Sequence, residues 1–211
     1  MHAAFPCFTQ DLQRIMRVGA NTADIPDILE AAGGTLMASG MAMLLKLGFG
    51  YVMRDSLLDK SRAQKALTFF NDNFVFDDPN AHNGTRYYQG KFLIRTRKPG
   101  DNMNVYLQFC PKPDDLFVDT PFGRCLNSLA VINTDVLTEK QAEQLANDPT
   151  QVDLVICFKD IPAILDLIGR PELDMVGLLL ENVVQLTGNV GHLFKLGAIA
   201  KETELTLGMT A

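Results

Sequence analysis

The chain has 211 residues, with 19 Lys plus Arg against 25 Asp plus Glu and a formal charge of −6. That length suffices for one domain with an extension and a well-buried core, and a hydrophobic fraction of 47% excludes a disordered chain. The acidic balance lacks the basic footprint of a nucleic-acid binder, so no nucleic-acid partner is expected.

The first twenty residues carry Asp11 ahead of any apolar run, and no basic segment leads into an apolar one. This is not the pattern of a secretory leader, and a cytoplasmic location is expected. Asp24 is a helix cap, with Pro26 in the first turn and Ile25, Ile28 and Leu29 as apolar positions. Gly33-Gly34 is expected to interrupt that helix. Thr35 to Met53 follows, nearly all apolar or small, with Lys46 as its single charge. Its apolar residues go round the whole helix, which predicts a helix covered on most sides. By length it approaches a membrane span, which needs about 20 apolar residues. Lys46 would cost roughly 2.5–3.5 kcal/mol at a bilayer centre, and Gly33 and Gly34 just before the segment, with Gly40, Gly48 and Gly50 inside, weaken it as a lone helix. A lid, a dimer interface and a peripheral membrane contact all stay open for this segment.

Arg54 to Phe70 is amphipathic, and Asn71 to Gly90 is polar and turn-rich, so it reads as a boundary. The expected division is a helical N-terminal extension over 1–70 and a second domain over 71–211. Within 54–110, nine Lys/Arg stand against six Asp/Glu. Arg95, Arg97 and Lys98 in that stretch read as a solvated strand end, with a contact to anionic headgroups as the alternative.

After Gly90 the period changes. Phe92, Ile94 and Thr96 alternate with Leu93, Arg95 and Arg97, then Val105, Leu107 and Phe109 with Tyr106, Gln108 and Cys110. Pro99-Gly100-Asp101 joins the two runs as a turn, so they predict a β-hairpin. Short strands are expected at Leu116 to Asp119 and Leu129 to Ile132. Thr138 and Gln141 form a capping box for a helix through Ala146. Val152 to Phe158 is a buried strand. Asp160 caps a helix holding Ile161, Ile164, Leu165 and Ile168, and Gly169 stops it. Glu172 to Glu181 is a further helix, Val183 to Thr187 a strand, and Val190 to Ala200 a last helix.

Catalytic and metal chemistry is sparse. Cys7, Cys110, Cys125 and Cys157 make no Cys-x-x-Cys pair and read as free, mostly buried thiols. His2, His82 and His192 are far apart. The acidic pairs Asp77-Asp78 and Asp114-Asp115 read as solvated turns. Cys157, Asp160 and His192 assemble a thiol enzyme only by residue type, and His192 reads as a partly buried or interfacial side chain. Gly188-Asn189-Val190-Gly191 sits at a strand-to-helix turn, where an anion can meet helix N–H groups, but it lacks the lysine-and-hydroxyl ending of a P-loop. No catalytic residue, metal or cofactor is expected. What is present is apolar content on the C-terminal helices. It serves a plain core or the wall of a pocket for a long apolar ligand.

The C-terminal order resembles the end of the sterol carrier protein type-two family. In this sequence the order is helix, Val183 to Leu186, Thr187-Gly188-Asn189-Val190-Gly191, then His192-Leu193-Phe194-Lys195-Leu196. The match runs from Val152 to Ala211 and more loosely back to Arg62. Asn182 stands where the family often carries Gly, and Pro111 to Ser128 has no obvious counterpart. The resemblance implies an α+β fold, a small mostly antiparallel sheet covered by helices around an apolar tunnel. It implies non-catalytic binding or transfer of a sterol, fatty acyl chain or similar lipid. Ile164, Ile168, Leu180, Val190, Leu193 and Phe194 are then the ligand-lining candidates, with Gly188, Asn189 and Gly191 as the structural turn. The alternative is an accessory protein of the same fold whose groove takes a partner or its own N-terminal helix, and a homodimer is open.

Overall fold

The computed structural model describes residues 28–53, 60–81, 84–121, 123–168 and 175–207. The fold is α+β. Its elements are α1 (Ile28–Val52), α2 (Lys60–Phe74), β1 (Val75–Asp77), β2 (Thr85–Tyr87), β3 (Lys91–Thr96), β4 (Asn104–Phe109), a 3-10 turn (Pro113–Asp115), β5 (Phe117–Thr120), β6 (Gly123–Leu126), α3 (Ser128–Val131), β7 (Ile132–Val136), α4 (Glu139–Ala146), β8 (Leu154–Phe158), α5 (Ile161–Ile168), α6 (Met175–Leu180), β9 (Val184–Gly188) and α7 (Gly191–Leu207).

The central sheet has five strands in the order β7-β4-β3-β8-β9, flanked by the small hairpins β1-β2 and β5-β6. Only β3 and β8 run parallel; the other three neighbouring pairs are antiparallel. A parallel neighbour needs a crossover, and α4 supplies it between β7 and β8. Its Ala142 packs with Leu93, Val152 and Val155 on one face of the sheet. The opposite face carries Phe92, Ile94, Val105, Leu107, Phe109, Leu154, Ile156 and Val184, all in the main core. The period-2 pattern read from the sequence is therefore split between two separately covered faces.

α1 lies across the main-core face over β4 and β7. It buries Ala38, Ala42, Phe49 and Val52, and its Ala42 carbonyl accepts a hydrogen bond from Thr134 Oγ1 at 3.1 Å. Gly33-Gly34 does not interrupt this helix, contrary to expectation. Tertiary contact overrides the weak local propensity of glycine: a Cβ on Gly34 would stand 1.2 Å from the Asp101 carbonyl oxygen. Glycine is the residue that lets the helix touch the β3–β4 loop. The helix is also not covered on most sides. Leu36 is 75% exposed and Met43 63%, on the side away from the sheet. Among the described residues, no helix is long and apolar enough to cross a membrane.

Other departures are local. Asn71 to Gly90 is not simply turn: α2 runs to Phe74, and β1 pairs with β2 from Val75↔Tyr87 to Asp77↔Thr85. Ser128–Val131 is a helical turn, and the strand expected near Leu129 begins at Ile132. The last helix starts at Gly191 and runs to Leu207, beyond Ala200. The capping box is present in both directions between Thr138 and Gln141. Asp160 Oδ1 accepts from the Ala163 N–H at 2.9 Å at the start of α5. The expected cap at Asp24, the stop at Gly169, and Cys7, His2 and His82 lie outside the described residues.

Of the basic trio, Arg97 and Lys98 are exposed, as a solvated strand end requires, and Arg95 departs from that reading. Arg95 pairs with Glu139 of α4, and Arg97 donates to the Asn182 carbonyl. Lys98 lies 3.9 Å from Asp101. A second acceptor on Glu139 takes the Asn104 amide at 2.9 Å, so Arg95 and Asn104 together tie the sheet to its crossover helix.

Candidate functional site

The C-terminal third closes the main-core face on the β8–β9 side. β9 pairs with β8 from Phe158↔Val184 to Leu154↔Gly188. Asn182, at the entry to β9, has φ 55. That left-handed conformation suits glycine, and asparagine tolerates it better than most residues. Gly188 has φ +115, and a Cβ there would meet the Asp153 carbonyl oxygen at 2.3 Å. Both backbone conformation and close approach require glycine at this point.

The turn then feeds α7. Asn189 Oδ1 accepts from the Gly191 N–H at 2.9 Å, and the Asn189 carbonyl accepts from His192. Leu193 and Phe194 donate to the Val190 carbonyl. The first N–H groups of α7 are thus used within the turn, which removes the anion-binding role weighed for this loop.

His192, one step into α7, shares a 2.7 Å hydrogen bond through Nδ1 with the Tyr88 hydroxyl. The two rings stack at 5.7 Å, and His192 meets Phe92 edge to face. Tyr88 lies over Gly90, where a Cβ would be 2.5 Å from the ring. Burial, and the charge of Asp153, hold the Tyr88 phenol well above its usual range, so it stays protonated. Phe76 of β1 meets Tyr88 edge to face, and the Lys195 ammonium lies 5.6 Å from the Phe76 centroid. Burial lowers the Lys195 pKa, with Glu202 opposing. The result is a polar-tipped aromatic cluster where α7 meets the sheet. His192 and Tyr88 were not coupled by any sequence spacing, since they are 104 residues apart.

The candidate lining residues divide. Ile164 is buried in the main core, and Leu193 is half-buried against it. Leu180 is 78% exposed and Phe194 74%, and Val190 is exposed as well. Ile168 ends α5. The C-terminal helices therefore carry apolar residues on two sides. Leu178, Leu193, Leu196 and Ile199 turn toward the core, while Leu179, Leu180 and Phe194, with Val190 of the preceding turn, face outward.

The thiol arrangement is not assembled. Cys157 pairs in register with Arg95, whose side chain reaches α4. His192 lies against Phe92, on the other face. Directly paired residues point to the same side of a sheet, so Cys157 and His192 are separated by the sheet itself. Burial raises the Cys157 pKa despite Arg95 and Arg97 nearby, which disfavours the thiolate. Among the described residues, no group of three His, Cys, Asp or Glu side chains is placed to hold a metal ion.

No protein-family model matches the sequence, and no curated protein matches it. Among solved structures, the chain is similar to one described as "UbiJ-SCP2 Ubiquinone synthesis protein". The two are 11% identical, the match covers 80% of this chain and 96% of that one, and the TM-score is 0.40.

Proposed function

We propose that this protein binds a hydrophobic ligand, a lipid or long acyl chain, between the C-terminal helices and the main-core face of the sheet, without catalysis. The observation that carries this reading is the two-sided apolar character of α6 and α7. A plain core needs one apolar side on a surface helix, whereas Leu179 and Leu180 of α6 and Phe194 of α7 add a second, outward one. Outward apolar residues beside a binding seat suit a protein that takes its ligand from an apolar source. An acyl tail gains about 0.8 kcal/mol per buried methylene, so such a seat requires few polar groups. The separation of Cys157 from His192 supports a non-catalytic role.

Native mass spectrometry after gentle purification, together with displacement of a fluorescent fatty acid, tests the reading. A bound lipid, or displacement that strengthens with chain length, is the expected result. Phe194→Ser and Leu180→Ser alter exposed positions, so they should leave the fold intact and slow uptake from vesicles. Absence of bound lipid together with absence of displacement across several chain lengths would sink the proposal.

A second reading is favoured by the position of α1: an accessory protein whose sheet face is filled in cis by its own N-terminal helix. Deleting residues 1–60 distinguishes the two roles of α1. Increased lipid binding identifies α1 as a plug, and loss of soluble protein identifies it as core.

A further inference from the structure

A cleft of about 290 Å³ lies between β2, the 3-10 turn and β6. Its walls come from three separate elements. Arg86 stands on β2, Asp114 in the 3-10 turn, and Arg124 on β6, and Gln89 also lines the cleft. The other sheet-proximal arginines are consumed internally, Arg95 by Glu139 and Arg97 by the Asn182 carbonyl. Among the described residues, Arg86 and Arg124 have no acidic partner within ion-pair distance. Both are exposed, so neither charge requires a buried counter-ion.

Arg124 is nevertheless held in place. Its guanidinium lies 4.7 Å from the centroid of the Phe117 ring on the paired strand β5. Stacking uses the face of the guanidinium and leaves the N–H groups at its edge to donate. Gln89 is fixed too, through a 3.1 Å bond from Nε2 to the Cys110 carbonyl. Two arginines lining one small polar cleft, in a chain of charge −6, concentrate positive potential where the rest of the molecule repels anions.

We infer that this cleft binds a phosphate oxyanion, with Arg86 and Arg124 as its two donors. The forked N–H geometry of arginine matches phosphate oxygens, and two such groups match a dianion or a phosphodiester. Asp114 on the same wall acts against any anion that enters, so it limits affinity. The phosphate has two sources, a free phosphate or the headgroup of a phospholipid, and both present the same oxygens.

The test uses the full chain. Inorganic phosphate is titrated against backbone amide NMR signals at constant ionic strength, with chloride as the control. Flotation with phosphatidylcholine vesicles, with and without phosphatidic acid, forms the second arm. Phosphate should shift the amides of Arg86, Gln89, Asp114 and Arg124. Arg86→Ala and Arg124→Ala should each weaken binding about 10-fold, the effect of one charge-assisted contact of about 1.4 kcal/mol. Asp114→Asn should strengthen binding, a change that damage to the fold cannot imitate. Binding in the phosphate arm identifies free phosphate as sufficient; binding only to phosphatidic acid vesicles, lost in both arginine variants, identifies a headgroup. The inference is overturned if neither arm responds, or if binding is unchanged in both arginine variants.

Discussion

Replacing Gly34 by alanine places a methyl carbon 1.2 Å from the Asp101 carbonyl oxygen and 2.4 Å from its carbonyl carbon. Both are backbone atoms, so no side-chain rotation relieves the overlap. Either α1 moves off the sheet or the β3–β4 loop moves, and the loop is tied down. Asp101 is buried, and its Oδ2 accepts the Ile161 N–H at the start of α5 at 3.0 Å. Overpacking a core costs typically 1–3 kcal/mol, and a backbone overlap of this depth belongs at the upper end, about 3 kcal/mol. For a chain of this length that corresponds to a fall in Tm of roughly 6–12 °C. Gly33, one residue earlier in the same helix, meets nothing within 4 Å of a built Cβ. Gly33→Ala should therefore follow helix propensity alone and stabilise by about 0.5–1 kcal/mol. The assay is urea denaturation of the two variants beside the parent protein, with helix content followed by circular dichroism. Opposite signs at adjacent positions are expected. Equal stability of Gly34→Ala and the parent, or equal destabilisation by both changes, would refute the placement of α1 against Asp101.

Asp101 has its own signature. Burial raises its pKa from the ordinary 3.8, with the Ile161 N–H and Lys98 acting the other way. A carboxyl that holds its proton more firmly when folded contributes stability that is complete below the unfolded pKa and lost as pH rises through the folded value. Asp101→Asn keeps an acceptor for Ile161 and removes the titration, so its stability relative to the parent should increase as pH is raised from about 3 into the neutral range; a pH-independent difference would count against this account. Cys110 is fully buried, and burial pushes its thiol up to about 12. In a Cys7→Ser background, a disulfide reagent at mild alkaline pH should modify the half-exposed Cys125 well before Cys110, with mass spectrometry of the digested protein reading the order, and early modification of Cys110 would show that the core is not closed around it.

The period-2 runs at Phe92 to Thr96 and Val105 to Phe109, the capping box at Thr138 and Gln141, and the order of elements after Val152 were legible in the sequence. Each depends on neighbours a few residues apart, where alternation and side-chain capping act. The glycine turn before α7 was legible for the same reason. The candidate lining was legible only as composition. Ile164, Leu180, Leu193 and Phe194 are equally apolar, and nothing local separates those that face the core from those that face outward. α6 and α7 have apolar residues on two sides, so period alone does not select one.

The sequence by itself determined the strands at Phe92 to Thr96, Val105 to Phe109 and Val152 to Phe158 and the caps at Thr138 and Asp160, because these are set by short-range sterics and hydrogen bonding. Only the tertiary structure decided that α1 runs unbroken through Gly33-Gly34, since the helix gains its seat on the sheet by contact with a loop 67 residues away at Asp101. It alone placed Tyr88 against His192 and put Cys157 and His192 on opposite faces of the sheet. It turned Arg95 from an apparent surface charge into the partner of Glu139. These outcomes depend on which faces the chain brings together across long separations, and that information is not carried by any local spacing.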